Sequence, residues 1–139
     1  KKYSKDHMLL LIFIYYFKGV LSISDIKALL KPITEKYFSK DSELKLEDIY
    51  NEVFSLEKDE VQYLAKDITK KFNRSKETFL DAPEEDREAL QYFSLICMLS
   101  FDTFLKKMII EKMIDLEREK HPDESSVSKK SSKAKKNQP

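Results

Sequence analysis

The chain has 139 residues, enough for one domain of ordinary size, and a formal net charge of +1. One glycine and four prolines leave too few turn-forming residues for an antiparallel sheet, so the composition predicts an all-α fold. Cys97 is the one cysteine, which excludes an internal disulfide, and the two histidines do not make a structural zinc site. We expect a single helical domain over residues 1–120, in a reducing cytoplasm, with no cofactor.

The first predicted element is an apolar helix. Ser4 is a good N-cap, and the helix can extend from Lys5 to about Lys18, before Gly19. Its middle is apolar on every side, which predicts a central helix surrounded by the others. A buried strand is the alternative for the same residues. The apolar run is too short to cross a membrane, and no membrane partner is expected.

A second helix is predicted after Ser22, with Asp25 three residues later in a pattern resembling a capping box. Pro32 falls inside its apolar stripe, where it should break or kink the helix after Lys31 or begin a new turn. From Leu46 to Phe72 the apolar spacing indicates one or two further amphipathic helices. The fold should therefore contain about four to six helices.

The last predicted helix is the longest. It should begin near Pro83 and extend to about Glu119, roughly 36 residues. Its acidic first turn, with Glu84, Glu85, Asp86 and Glu88, is explained by the helix dipole without invoking a metal. Beyond it, residues 121–139 carry five lysines against two acidic residues, and their composition predicts a disordered basic tail. The remaining chain then carries about −2, which does not indicate a basic nucleic-acid surface.

Two faces of the long helix are apolar near its end. One stripe contains Phe101, Phe104, Leu105 and Met108. About half a turn away lie Ile110, Met113 and Ile114, and one core does not easily cover both faces. We therefore predict a homodimer interface at Ile110, Met113 and Ile114. The alternative is that an earlier helix of the same chain covers this end.

Signals of catalysis are weak, and we predict no enzyme, no catalytic residue and no metal site. One glycine cannot form a phosphate-binding loop, and no nucleophile, histidine and carboxylate occur in a recognisable motif. His7 is interpreted as a helix-boundary residue and Cys97 as a buried, inert thiol. The many aromatic residues are typical of a helical core, although a pocket for an apolar ligand is an alternative.

A distinctive pattern at the N-terminus comprises Tyr3-Ser4, Met8, Leu11, Ile14, Phe17, the segment "LSISDI" at 21–26, and Leu29-Leu30. This pattern resembles the second half of a MerR-type DNA-binding domain. It covers residues 1–31, the helices after the family's wing. By the wording "KKYSKDH" and "VLSISDIKALLKPI", the chain is also similar to the YkrK-like family, a domain of unknown function from Gram-positive bacteria.

The resemblance implies that a helix-turn-helix and a wing precede Lys1 and that DNA is read only there. It implies DNA-backbone contacts at Lys1, Lys2, Tyr3 and Lys5, and a dimerisation or effector-sensing role for residues 46–119. The alternative for the first residues is a solvated terminus with Tyr3 against the core. We thus expect the dimerisation or sensing part of a MerR-like transcription regulator. A protein interaction module and a bundle that binds apolar ligands are the rival hypotheses.

Overall fold

A computed structural model describes residues 4–38 and 41–120. Across these residues the chain forms five helices and no strand, which confirms the all-α prediction and excludes the strand alternative. The helices are α1 (Lys5–Lys18), α2 (Ile23–Tyr37), α3 (Leu46–Ser55), α4 (Glu57–Ser75) and α5 (Glu84–Lys120). Lys1, Lys2, Tyr3 and the predicted tail at 121–139 lie outside the described residues.

Serine caps begin the first two helices, as predicted. The Ser4 hydroxyl accepts a hydrogen bond from the His7 backbone N–H at 3.3 Å, and Ser22 accepts one from the Asp25 N–H at 3.1 Å. Each cap satisfies an N–H that has no partner within the helix. The Asp25 carboxylate makes a different contact, an ion pair with Arg118 of α5 at 3.0 Å.

Pro32 does not break α2, which continues through it from Ile23 to Tyr37. The prediction of a break after Lys31 was therefore wrong, although the helix does extend as far as Tyr37. A proline inside a helix removes one backbone hydrogen bond. Packing on both sides of this position offsets that loss, because Leu30 is buried and Ile33 packs against the core.

The first three helices pack together around one apolar core, and we call them the three-helix unit. Leu46, at the start of α3, is 1% exposed. The other buried apolar residues come from α1, α2, the turn between them and α5: Leu9, Phe13, Leu21, Ile26, Leu30 and Ile114. A core of this kind supplies most of the stabilisation, since burying each large apolar side chain contributes about 1.5–3 kcal/mol.

Helix α1 is covered on one face only, so the prediction of a surrounded central helix was wrong. Leu9 and Phe13 lie in the core. Met8, Leu11 and Tyr15 follow the opposite face at helical spacing, and Tyr15 is 77% exposed. The other two helices of the unit approach α1 from a single side. The apolar composition of α1 does not determine whether another helix covers its opposite face.

Helices α4 and α5 form an antiparallel hairpin. Its turn contains Phe79, a bulky residue with a positive φ of 54°. Gln91 fixes this turn, since its amide Nε2 donates to the carbonyl oxygens of Lys76 at 3.1 Å and Thr78 at 3.0 Å. The extent of α5 confirms the predicted long last helix. No helix in the described part of the chain is long and apolar enough to cross a bilayer.

Candidate assembly surface

The hairpin is joined along a polar seam. Ser75 is its most buried residue, and Thr78 donates a hydrogen bond to the Ser94 hydroxyl at 3.0 Å. Further from the turn, Lys71 pairs with Asp67 on its own helix and approaches Asp102 of α5 at 4.0 Å. Side chains that face a neighbouring helix are usually apolar. Here the hydrogen bond and the ion pair that join the two arms of the hairpin come from hydroxyl and charged side chains.

Asp102 is the centre of the charged part of this seam. Its carboxylate accepts a hydrogen bond from Lys106 at 2.9 Å. This hydrogen bond, with the positive charges of Lys106 and Lys71, holds the pKa of Asp102 below its usual value against a smaller opposing effect of desolvation. The same hydrogen bond and ion pair raise the pKa of Lys106. Both charged forms are therefore favoured in the folded hairpin.

Apolar side chains of the hairpin lie beside the seam and remain accessible. On α4 the spacing of Val61, Leu64, Ile68 and Phe72 places them on one helix face, and each is 39–58% exposed. On α5 Leu95 and Leu99 are half-buried and Ile96 is exposed. Two helices alone cannot enclose these groups.

One set of apolar groups from each helix lies on the same side of the hairpin, while other exposed apolar residues of α5, among them Phe93, Phe101 and Phe104, lie outside this set. The contacts across the hairpin join Lys71 of α4 to Asp102 of α5 and Thr78 of the turn to Ser94 of α5, and Ser75 is the buried residue of α4. The residue after a contact position is turned about 100° around its helix axis. Because the two helices are antiparallel, a rotation of about 100° from the contact positions brings the following residues of both helices to the same side of the hairpin. We call this surface the hairpin face: Val61, Leu64, Ile68 and Phe72 of α4 with Leu95, Ile96 and Leu99 of α5.

The residues predicted to form a dimer interface do not share one environment. Ile114 is 4% exposed and lies in the core of its own chain, so its assignment to an interface between chains was wrong. The physical reason is that α2 packs against this end of α5, held by the ion pair of Arg118 with Asp25 and a hydrogen bond from Arg118 to Ser24 at 3.0 Å. Ile110 and Met113 are exposed, and their place in a homodimer interface stays a prediction.

Among the residues predicted to contact the DNA backbone, Lys5 is the one that the structure describes. Its Nζ lies 2.7 Å from the Glu47 carboxylate of α3. Both side chains are largely accessible, so the pair contributes little to stability. A phosphate would have to compete with Glu47 for this ammonium group.

Other predicted features are placed as follows. Cys97 is half-buried on α5, less than the prediction of a fully buried thiol. Within the described residues no cluster of three or more histidine, cysteine or acidic side chains could hold a metal ion. Aromatic rings of α1 and α3 contact one another, with the ring centroids of Tyr16 and Phe54 5.2 Å apart. The pocket for an apolar ligand stays a prediction.

An open cavity of about 450 Å³ lies at the junction of α3 and α4. It is lined by Phe54, Glu57, Lys58, Val61 and Gln62, so two charged side chains border its apolar part. This lining differs from the mostly apolar, enclosed sites that bury small ligands.

The sequence predicts amphipathic helices over Leu46 to Phe72 within a dimerisation or sensing region, but it does not predict the hairpin face. One signal could have found it. Asp67, Lys71 and Ser75 recur at four-residue spacing, which marks a polar line beside the stripe.

Comparison with known families adds one finding. Residues 1–54 match a domain of unknown function, DUF1836. The match covers the three-helix unit almost to the end of α3 and does not include the hairpin. No curated protein and no solved structure matches the chain.

Proposed function

We propose that this chain is the dimerisation or effector-sensing part of a MerR-like bacterial transcription regulator whose DNA-reading helix-turn-helix precedes Lys1. The observation that carries the proposal is the division of the chain. The segment resembling a MerR-type domain lies in the three-helix unit, and a separate hairpin with accessible apolar side chains extends from it. A dimeric regulator needs both parts, one near DNA and one for assembly.

The proposed mechanism is indirect. Two chains join through their hairpins, and the joined hairpins set the distance between two DNA-reading units, as half-site spacing requires. Each unit is attached to its hairpin twice, through Leu56 between α3 and α4 and through Ile114 at the end of α5. A ligand or partner that favours one arrangement of these attachments would shift the population of DNA-binding dimers.

The test begins with the coding sequence upstream of Lys1, where we expect a helix-turn-helix and a wing. The longer chain should bind duplex DNA in a fluorescence anisotropy titration, more weakly as salt increases, because phosphate contacts release counterions. Lys5→Ala should weaken binding to all DNA sequences and reduce the salt slope by about 1. Lys27→Ala, an exposed lysine on α2, is the control and should change neither quantity.

Two results would contradict this proposal. The first is an upstream sequence without a helix-turn-helix. The second is a longer chain that does not bind DNA even at low salt, where backbone contacts are strongest.

A second candidate is a protein interaction module that never binds DNA. It is favoured by the charge of about −2 on residues 1–120 and by the pairing of Lys5 with Glu47. This candidate predicts no DNA binding at any salt concentration.

A further inference from the structure

We propose that the hairpin face is completed by the same face of a second copy of this chain, so that two hairpins form a four-helix bundle. The inference rests on the proposed function only in requiring a dimer. It deepens that function by moving the interface from Ile110 and Met113 to the middle of the hairpin and by naming the interface residues of α4 beside those of α5.

The positions of the apolar residues fit one half of such a bundle. In a four-helix bundle each helix contacts two neighbours and directs its apolar stripe toward the common axis, between the two contacts. On α4 the positions Ile68 and Phe72 directly follow Asp67 and Lys71 of the seam, and on α5 Leu95 directly follows Ser94. The stripes are thus turned from the seam toward one shared side, where an identical hairpin can pack.

The side of the hairpin that carries the face is large enough for a second copy. Helix α4 has 19 residues, so this side is about 28 Å long at the usual rise per residue, and the apolar residues from Val61 to Phe72 cover about 17 Å of it. Two packed helices make the side about 20 Å wide, which gives a flat area on the order of 560 Å² before side-chain relief is included. Standard interfaces bury about 800 Å² on each partner, so the bundle would use the whole side, with the apolar face at its centre.

The charges around the face also favour a second copy. Asp67, Lys71, Asp102 and Lys106 pair with one another within the hairpin, so these four seam charges need no oppositely charged partner. Residues 57–120 contain 12 basic and 15 acidic residues, a net charge of −3, which adds little repulsion between copies. The hairpin face is therefore complementary to an uncharged, apolar surface. The same face of a second chain is such a surface.

The test measures molar mass by light scattering over a range of concentrations for three chains. The first is the unchanged chain, the second carries Leu64→Lys with Ile68→Lys in the hairpin face, and the third carries Lys66→Glu with Lys70→Glu on the polar side of α4. Circular dichroism and thermal unfolding of the diluted chains verify that each variant is folded. We expect a dimer for the first and third chains, and at least a tenfold weaker dimer for the second.

Other results would overturn the inference. If the unchanged chain is a monomer at every concentration, both the four-helix bundle and the dimerisation role fail. A fourth chain, Ile110→Lys with Met113→Lys, distinguishes failure of the four-helix bundle from failure of the dimerisation role. If it becomes a monomer while the Leu64 and Ile68 variant stays a dimer, the hairpin face is not the interface and the proposed dimerisation function still stands. If the Leu64 and Ile68 variant is unfolded, Leu64→Ala with Ile68→Ala replaces it, and an unweakened dimer then overturns the inference.

Discussion

The three-helix unit and the α4–α5 hairpin use similar apolar residues in different ways. In the unit, three helices and the end of α5 enclose Leu46 and five other buried apolar residues from α1, α2 and their turn. In the hairpin, the most buried residue of α4 is Ser75, and the large apolar residues of its stripe remain accessible. The comparison teaches that apolar content does not by itself make a core. A core also requires enough neighbouring elements to cover each stripe.

The strongest test of this contrast compares one leucine in each region. Leu46→Ala should lower the free energy of unfolding by about 2–5 kcal/mol, because it leaves a cavity in the core. Leu80→Ala, at the exposed hairpin turn, should change it by no more than about 0.5 kcal/mol. Urea unfolding followed by circular dichroism measures both. Equal losses would show that the turn is as tightly packed as the core.

The second test concerns two adjacent residues of α5, of which one joins the core of the three-helix unit. Ile114→Ala should cost about 2–4 kcal/mol, since this side chain fills the contact with α2. Met113→Ala is the matched control, and at 61% exposure it should cost far less in the monomer. If Met113→Ala is the more damaging change in dilute protein, the assignment of Ile114 to the core is wrong.

The smallest expected effect lies in the polar seam and depends on pH. Because the pKa of Asp102 is lowered on folding, its contribution to stability is present above the ordinary aspartate pKa of about 3.9 and is lost as the pH falls through the lower folded value. Asp102→Asn should therefore reduce the loss of stability below about pH 4. Thermal unfolding from pH 2 to 7 measures this slope.

Lys106→Gln is the companion variant for the seam. It removes the main cause of the lowered Asp102 pKa, so it should reduce the acid slope in the same direction, and the double variant should add little to either single change. A variant Asp102→Asn with an unchanged acid slope would contradict the role given to this ion pair.

Local signals in the sequence predicted much of the fold. The caps at Ser4 and Ser22 and the start of α5 after Pro83 depend on a few adjacent residues, and the structure confirms them. Pro32 was misjudged because its cost is local, whereas the packing of Leu30 and Ile33 that offsets it comes from other helices.

The candidate site was predicted less well, because it depends on contacts between distant residues. The sequence showed that α5 has more than one apolar face, but not which face another helix would cover. Ile114 lies in the core because α2, some 90 residues earlier, packs there, as the Arg118 to Ser24 contact at a separation of 94 residues shows. The face of α4 was missed for a related reason, since its role depends on which side α5 occupies.

The contact between the end of α5 and α2 also has a consequence for folding. It closes a chain segment of 94 residues, for which loop closure costs about 4 kcal/mol of chain entropy by the logarithmic rule. Contacts within α1, α2 and α3 span much shorter segments and can form earlier. The docking of α5 should therefore be a late step in folding. In native-state hydrogen exchange, the amides near this contact should exchange before those of the three-helix unit.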